Sequence, residues 1–368
     1  MADGRQADMS APQGAAPASQ NVAPAYTMRA YTPEQIPAVL ELARASLGDA
    51  GAVRKSEAFW RWKHHANPFG ASLGVGAWTP DEQLIGLRIL LRWRLAHPQG
   101  GELAAVRAVD TATRAAYRRM GIFSALTRHV LADLPGRGVG LIFNTPNAQS
   151  LPGYLKLGWQ VAARWPLYLH PLRPWRMIRR AAGRDAPQPD AAAGLGRVQP
   201  WPRFWEEYGD QAAALVAASE QGRTACGWRT PRTLDYLTWR YGCHPSIQYG
   251  VHVLADDRDS RRLQGFALLR PNVRQGWQEL VLADLFLAEW EGRQAQRLLH
   301  GLHRAVEADY VIAHFAAASR ERAWLRRLGY WRVPKRRLVF AVMPLQEITP
   351  PLLDARSWDL SLGDLELF

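Results

Sequence analysis

The chain has 368 residues, 48% of them hydrophobic and 21% charged, a globular composition long enough for two cores of about 150 residues rather than one. Its two cysteines, Cys226 and Cys243, are too few for a disulfide framework and stand in no Cys-x-x-Cys or Cys/His cluster, so both read as buried packing residues and no metal is expected. The net charge of +13 comes almost wholly from scattered arginines, with lysine at Lys55, Lys63, Lys156 and Lys335; this favours an anionic ligand without marking the basic stripe of a nucleic-acid binder, and nucleic acid is not the expected partner.

In chain order, residues 1–25 lack the basic and apolar regions of a secretory signal and, rich in Ala, Pro, Gln and Ser, read as a disordered tail. No apolar run approaches the roughly 20 residues of a membrane span, so a cytoplasmic location is the expectation. An extended segment at Thr27–Tyr31 leads to a helix capped by Thr32, with Pro33 at its first position, Gln35 three residues after the cap, and Ile36, Val39, Leu40, Ala43 and Leu47 on one face. A second helix is expected from Ser56 to Ala66, ended by Asn67-Pro68. Strands follow at Leu73–Trp78, Leu84–Trp93 and Leu103–Thr113, then a helix over Gly121–Leu134, a strand at Val139–Phe143, a helix over Ala148–Leu157 and strand from Trp159 to His170. The order is βααβββαβαβ, an α/β (α+β) arrangement with a mixed sheet flanked on both faces by helices.

Between Pro171 and Pro200 the composition turns basic and proline-bounded, then into RDAPQPDAAAGLG, which reads as a linker. Trp175, Met177 and Ile178 fit either a short membrane-surface helix or a cap packed between two domains.

Beyond the linker the chain repeats itself. FWRWKHHANP at 59–68 returns as YLTWRYGCHP at 236–245, with Trp62 on Trp239 and Lys63 on Arg240. LIGLRILLR at 84–92 returns as LQGFALLR at 263–270, AVDTAT at 108–113 as LADLFL at 282–287 with Asp110 on Asp284, and LGW at 157–159 as LGY at 328–330. Matches in the same order and at nearly constant offset indicate an internal duplication. The expected divisions are 1–25 tail, 26–170 first domain, 171–199 linker, 200–346 second domain and 347–368 C-terminal tail.

The residues that carry chemistry lie in the first copy. TRAAYRRMGIFSAL at 113–126 places a glycine-containing loop between a strand and an amphipathic helix. A helix start offers unpaired N–H groups and partial positive charge, which suits a diphosphate. Gly121 would allow close backbone approach, and Arg118 and Arg119 add a charged donor fork. A second stretch, NAQSLPGYLKLGW at 147–159, follows a strand and ends at a helix-closing glycine.

Together these stretches resemble the GNAT superfamily of acyl-CoA N-acyltransferases. The first is similar to its R/Q-x-x-G-x-G/A loop at Arg118 and Gly121. The second is similar to its N-x-x-A/S-x-x-x-Y-x-x-x-G-F/W signature at Asn147, Ser150, Tyr154, Gly158 and Trp159. Phe123 departs from the small residue of that loop, and Arg119 stands where a glycine is common. The resemblance implies a sheet splayed between its fourth and fifth strands, with acetyl-CoA or another acyl-CoA as cosubstrate. Asp110, Thr111, Ala112 and Thr113 would lie along the pantetheine, and the backbone of Arg118, Arg119, Met120, Gly121 and Ile122 would hold the diphosphate. It further implies direct attack by an amine of a small molecule, sugar or peptide, which calls for a base and for an acid at the leaving thiolate. Tyr154 occupies the acid position, with a half-buried packing tyrosine as the plainer reading. Asp110 is the candidate base, although its copy at Asp284 equally suits a structural role. Asn147 either caps the next helix or meets the pantetheine. His64 and His65 could titrate near neutrality, with at most one facing the cleft, and the recurrence of Trp62 favours core packing.

The second copy has Glu289 and Glu291 where phosphate should be welcome, and Leu325 at the tyrosine position, so it reads as degenerate. Two other functions fit parts of this pattern: a non-catalytic binding protein that keeps the fold, and a tandem transferase that uses aminoacyl-tRNA.

Overall fold

The computed structural model describes residues 25–47, 56–182, 190–222, 227–317 and 319–365; the tail expected at the start lies, up to residue 24, outside them, as does Cys226. The chain opens with β1 (Thr27–Ala30). Gln35 then accepts the Thr32 N–H at 3.2 Å, and a single 3-10 turn from Pro33 runs into α1 (Ile36–Leu47). Ile36, Val39, Leu40 and Ala43 are buried, the helical spacing the sequence shows. α2 (Glu57–His64) starts where Ser56 Oγ accepts the Phe59 N–H at 3.1 Å. β2 (Leu73–Trp78), β3 (Leu84–Ala96) and β4 (Glu102–Thr113) form an antiparallel meander, with β1 paired to β2. After it come α3 (Ile122–Asp133), β5 (Leu141–Asn144), α4 (Leu151–Lys156) and β6 (Gln160–Pro171).

Strand alternation decides which helix packs on which face. Leu87 and Ile89 of β3 pack with Val39, Leu40 and Trp60, on the side of α1 and α2. Gly86 points the other way, where a Cβ would come within 2.6 Å of Ile122 on α3. Ile122 and Leu126 of α3 and Tyr154 of α4 share that opposite core with Val75 and Ala77.

The second half runs through the same succession of elements. After α5 (Pro174–Ala181) come β7 (Gln199–Pro200), α6 (Trp201–Gly222) and α7 (Leu234–Leu237). β8 (Gly250–Ala255), β9 (Leu263–Arg274), β10 (Trp277–Leu287), α8 (Gly292–Ala305), β11 (Tyr310–Ala313), α9 (Arg320–Arg327) and β12 (Trp331–Pro344) follow, and α10 (Leu362–Leu365) lies near the end.

The described strands join one sheet in the order β1-β2-β3-β4-β5-β12-β6-β11-β10-β9-β8-β7. Positions equally far from its two ends are held by strands six apart along the chain. At the centre the last strand of each half crosses over: β12 pairs with β5, and β6 pairs with β11. The first segment therefore does not close its own sheet. On this symmetric frame Trp62 and Trp239 stack, with centroids 5.1 Å apart, and each indole N–H donates to the other's backbone carbonyl at 2.7 and 2.8 Å. These tryptophans are core, as their recurrence indicates.

Three sequence expectations change. The stretch read as a linker carries α5, which is held by Arg176 to the buried Asp309 at 2.5 Å while Trp175 stands 79% exposed, so it is not a cap with its aromatic residue packed inside. The stretch read as a C-terminal tail is buried from Trp358 to Leu365, because its polar groups find charged partners inside the molecule. Cys243, expected in the core, is exposed, at the residue that ends the turn after α7.

Candidate active site

β3 and β4 lose register between the pairs Leu87/Ala112 and Ile89/Val109, so Asp110 and Thr111 together oppose Arg88 in a β-bulge. Asp110 takes a left-handed φ of 44°, a conformation a non-glycine residue adopts at a cost. β4 and β5 pair in parallel at Ala105–Arg107 against Leu141–Phe143, and Ala108 through Thr113 have no partner on β5. Beyond that point a cavity of about 250 Å³ opens, walled by Val109 and Asp110, by Asn144 and Asn147, by Tyr154 and by Lys63. The splay between the fourth and fifth strands is thus present, with α2 at one mouth and α4 at the other.

On the α2 side Asp110 Oδ2 lies 2.5 Å from Lys63 Nζ and 3.3 Å from His64 Nε2. All three groups are buried, and His64 also bonds Ser72 Oγ through Nδ1 at 2.9 Å. Burial pushes the His64 imidazole down to about 4, against the upward pull of Asp110, so it is neutral at pH 7. His65 bonds the Tyr31 hydroxyl at 2.8 Å and is also shifted down by burial. His64 therefore does not titrate near neutrality, which corrects the expectation from its unperturbed chemistry.

On the α4 side the Tyr154 hydroxyl accepts a hydrogen bond from Arg88 Nη1 at 3.0 Å. The same Nη1 donates to Thr111 Oγ1 at 2.6 Å. Phe123, the bulky residue of the loop, lies edge-on to Tyr154 with centroids 5.8 Å apart and covers the Arg88 guanidinium. It has turned into the core and leaves the helix start clear.

That start is open. Gly121 caps α3 with a left-handed φ of 77°, and a Cβ placed on it meets nothing within 4 Å. Ala125 is bonded back to Gly121, and among the described residues no hydrogen bond engages the backbone N–H groups of Arg119 through Ser124. Arg119, where a glycine is common, has φ 65°, the backbone a glycine would take there. Arg118 donates to the carbonyls of Ser46 (2.9 Å) and Thr113 (3.4 Å) and so braces the loop. Asn147 accepts the N–H groups of Gln149 and Ser150 at 3.0 and 2.9 Å in an Asx turn while lining the cavity; the N-cap of α4 is Ser150, so Asn147 shapes the turn before that helix and does not cap it, contrary to the expectation. The geometry brings Asp110, Tyr154 and Asn147 around one cavity, and sets the Arg118–Ile122 loop at the end of the β4 edge that Thr111, Ala112 and Thr113 leave open. A phosphorylated ligand fits this cradle: free amides at a helix start, no side chain over Gly121, and a slot between strands.

Comparison with known proteins assigns the first part of the chain. Residues 27–162 match the family model described as an acetyltransferase (GNAT) domain. This segment is a GNAT domain. Among solved structures, the chain is similar to a conserved protein of unknown function from Enterococcus faecalis V583, described as a probable N-acyltransferase, with TM-score 0.58 and 14% identity over 87% of this chain and 73% of that one. GCN5-related N-acetyltransferases from Anabaena variabilis ATCC 29413 (TM-score 0.55, 13% identity, 87% and 73% coverage) and Kribbella flavida (0.51, 17%, 87% and 71%) are similar in the same way. At such identities the likeness is one of fold, and coverage of 87% carries it past the GNAT domain into the second half. A search among curated proteins finds no match.

Two residues at the cleft, Arg88 and Arg107, escape the motif reading, and Lys63, on the helix that the resemblance places at the acceptor wall, gains its partner Asp110 only here. Arg107 lines the cavity and donates to the backbone carbonyls of Asp364, at 2.5 Å, and Leu365, tying α10 to its floor. The signal was available for both arginines, since a charge inside the apolar runs LIGLRILL and LAAVRAV must find a purpose when buried. In the second half the corresponding place is filled: Asp284 binds Arg232 at 2.9 Å, Tyr241 and Ser361, and α10 packs against it.

Proposed function

We propose that this GNAT protein transfers an acyl group, acetyl in the first instance, from acyl-CoA to a primary amine by direct attack. The observation that carries the reading is the open start of α3 beside the slot between β4 and β5, with the Tyr154 hydroxyl on the wall of that slot. The backbone from Arg118 to Ile122 holds the diphosphate, and the unpaired edge from Asp110 to Thr113 lies along the pantetheine. Asp110 takes the proton of the incoming ammonium, directly or through a water, and Tyr154 gives its proton to the departing thiolate. The carbonyl carbon exchanges its C–S bond for a C–N bond, with no covalent enzyme intermediate.

We read the chain as two copies of one fold, the second without a cofactor site. The repeated order of elements, the symmetric sheet and the reciprocal tryptophans support this. Glu291 at the start of α8 and the apolar Leu325 support loss of the donor site.

Calorimetry with acetyl-CoA tests the reading, beside Gly121→Asp, in which φ 77° and the added carboxylate both oppose binding. Saturable binding that is lost in the variant is expected; no binding by the parent would leave a non-catalytic protein. An amine screen followed by thiol release should then show Tyr154→Phe slower by about a hundredfold. An unchanged rate would remove Tyr154 as the acid.

A further inference from the structure

We propose that Arg88 is a positioning residue for the Tyr154 proton: it occupies the acceptor side of the hydroxyl, leaves the O–H to donate into the cleft, and neutralises the phenolate that follows. The proposal rests on Tyr154 acting as the acid.

A guanidinium has donors and no acceptor. The 3.0 Å contact between Arg88 Nη1 and Tyr154 Oη can therefore run in one direction, with the tyrosine oxygen accepting. Among the described residues no protein group accepts the tyrosine's own proton, and the residue lines the cavity. The hydroxyl is thus fixed with its hydrogen turned toward the slot.

Arg88 itself needs an explanation. It is 0% exposed, no carboxylate among the described residues pairs with it, and its Nε and Nη2 have no hydrogen-bond partner. Its bonds go to two neutral hydroxyls, and its face meets the rings of Phe123 and Tyr154. A buried cation with no counter-charge costs the resting fold stability, so its presence asks for a function, and a negative charge that forms beside it is what it would stabilise. Proton transfer supplies one. The Tyr154 O–H bond breaks, an S–H bond forms on the leaving thiolate, and the electron pair stays on Oη beside the guanidinium as a charge-assisted hydrogen bond. The proton released by the acceptor amine then restores the phenol.

The second half offers an internal comparison. By the strand registers Arg88 and Thr111 correspond to Ala267 and Leu285, and by the LGW/LGY repeat that follows each helix Tyr154 corresponds to Leu325, all three apolar and buried in one core. Where the tyrosine is absent, the arginine and the threonine that orients it are absent too.

The test measures thiol release from acetyl-CoA for Arg88→Met and Arg88→Lys, each alone and combined with Tyr154→Phe. Arg88→Met should lower kcat at least about tenfold and leave the acetyl-CoA KM within about threefold, with partial recovery in Arg88→Lys. The double variant should be no slower than Tyr154→Phe alone. Equal losses from Arg88→Met in both backgrounds, or a parental rate, would overturn the role of Arg88. A slow Tyr154→Phe beside a fast Arg88→Met removes Arg88 and keeps the acid, whereas a fast Tyr154→Phe removes both. Melting temperature and acetyl-CoA binding are followed for each variant, and Arg88→Lys carries the comparison should Arg88→Met not fold.

Discussion

At Asp110 a single carboxylate meets two demands. It sits in the bulge of β4 at a left-handed φ, walls the cavity, and forms a buried ion pair with Lys63. Removing one member of such a pair strands the other, which costs about 3–5 kcal/mol, whereas removing both can be nearly neutral. Asp110→Asn and Lys63→Met should therefore each lower stability toward urea by about 3 kcal/mol, and the double variant should recover most of it. Additive losses would deny the pairing. If the double variant is stable yet still transfers acyl groups at the parental rate, Asp110 is structural and another group is the base. The motifs in the sequence pointed to Tyr154, Gly121 and Asn147 because their spacing is local. Arg88 was not legible as a site residue, nor was Asp110 as the partner of Lys63, since each contact spans a long stretch of chain.

Among the elements, α2 and its counterpart at residues 234–242 join the two halves. Each of Trp62 and Trp239 donates to the carbonyl of the other, so loss of either N–H leaves a buried acceptor without its donor. Trp62→Phe and Trp239→Phe should each cost about 1–3 kcal/mol, in similar amounts, as judged by urea unfolding. A large cost at one site and none at the other would contradict the symmetric arrangement. Most elements were legible one by one: β2 spans the predicted residues, and α3 differs from its prediction by one residue at each end. The π-turn after α7 and the short helix α10 were not, because side-chain contacts from distant segments hold them.

For the whole molecule, acid stability follows from five buried or half-buried histidines. His64, His252 and His314 are held at about 4, and His244 and His303 at about 3, each chiefly by burial. Their unfolded value is near 6.5, so below that pH the unfolded chain binds more protons, and stability falls as the pH drops from 6.5 toward 4. The melting temperature should decline steadily through that window, and His303→Gln should lessen the slope by about one proton. A flat profile would mean that these rings are reached by water.

Sequence alone determined most of the elements, the recurring motifs and the glycine loop at the start of α3, because each depends on side-chain periodicity or on backbone freedom within a few residues. The tertiary structure decided that the halves exchange their final strands into one sheet, that the C-terminal stretch is buried against Arg107 and Arg232, and that Arg88 faces Tyr154. Those outcomes depend on which distant groups can satisfy a buried charge or an unpaired strand edge, and no local pattern encodes that.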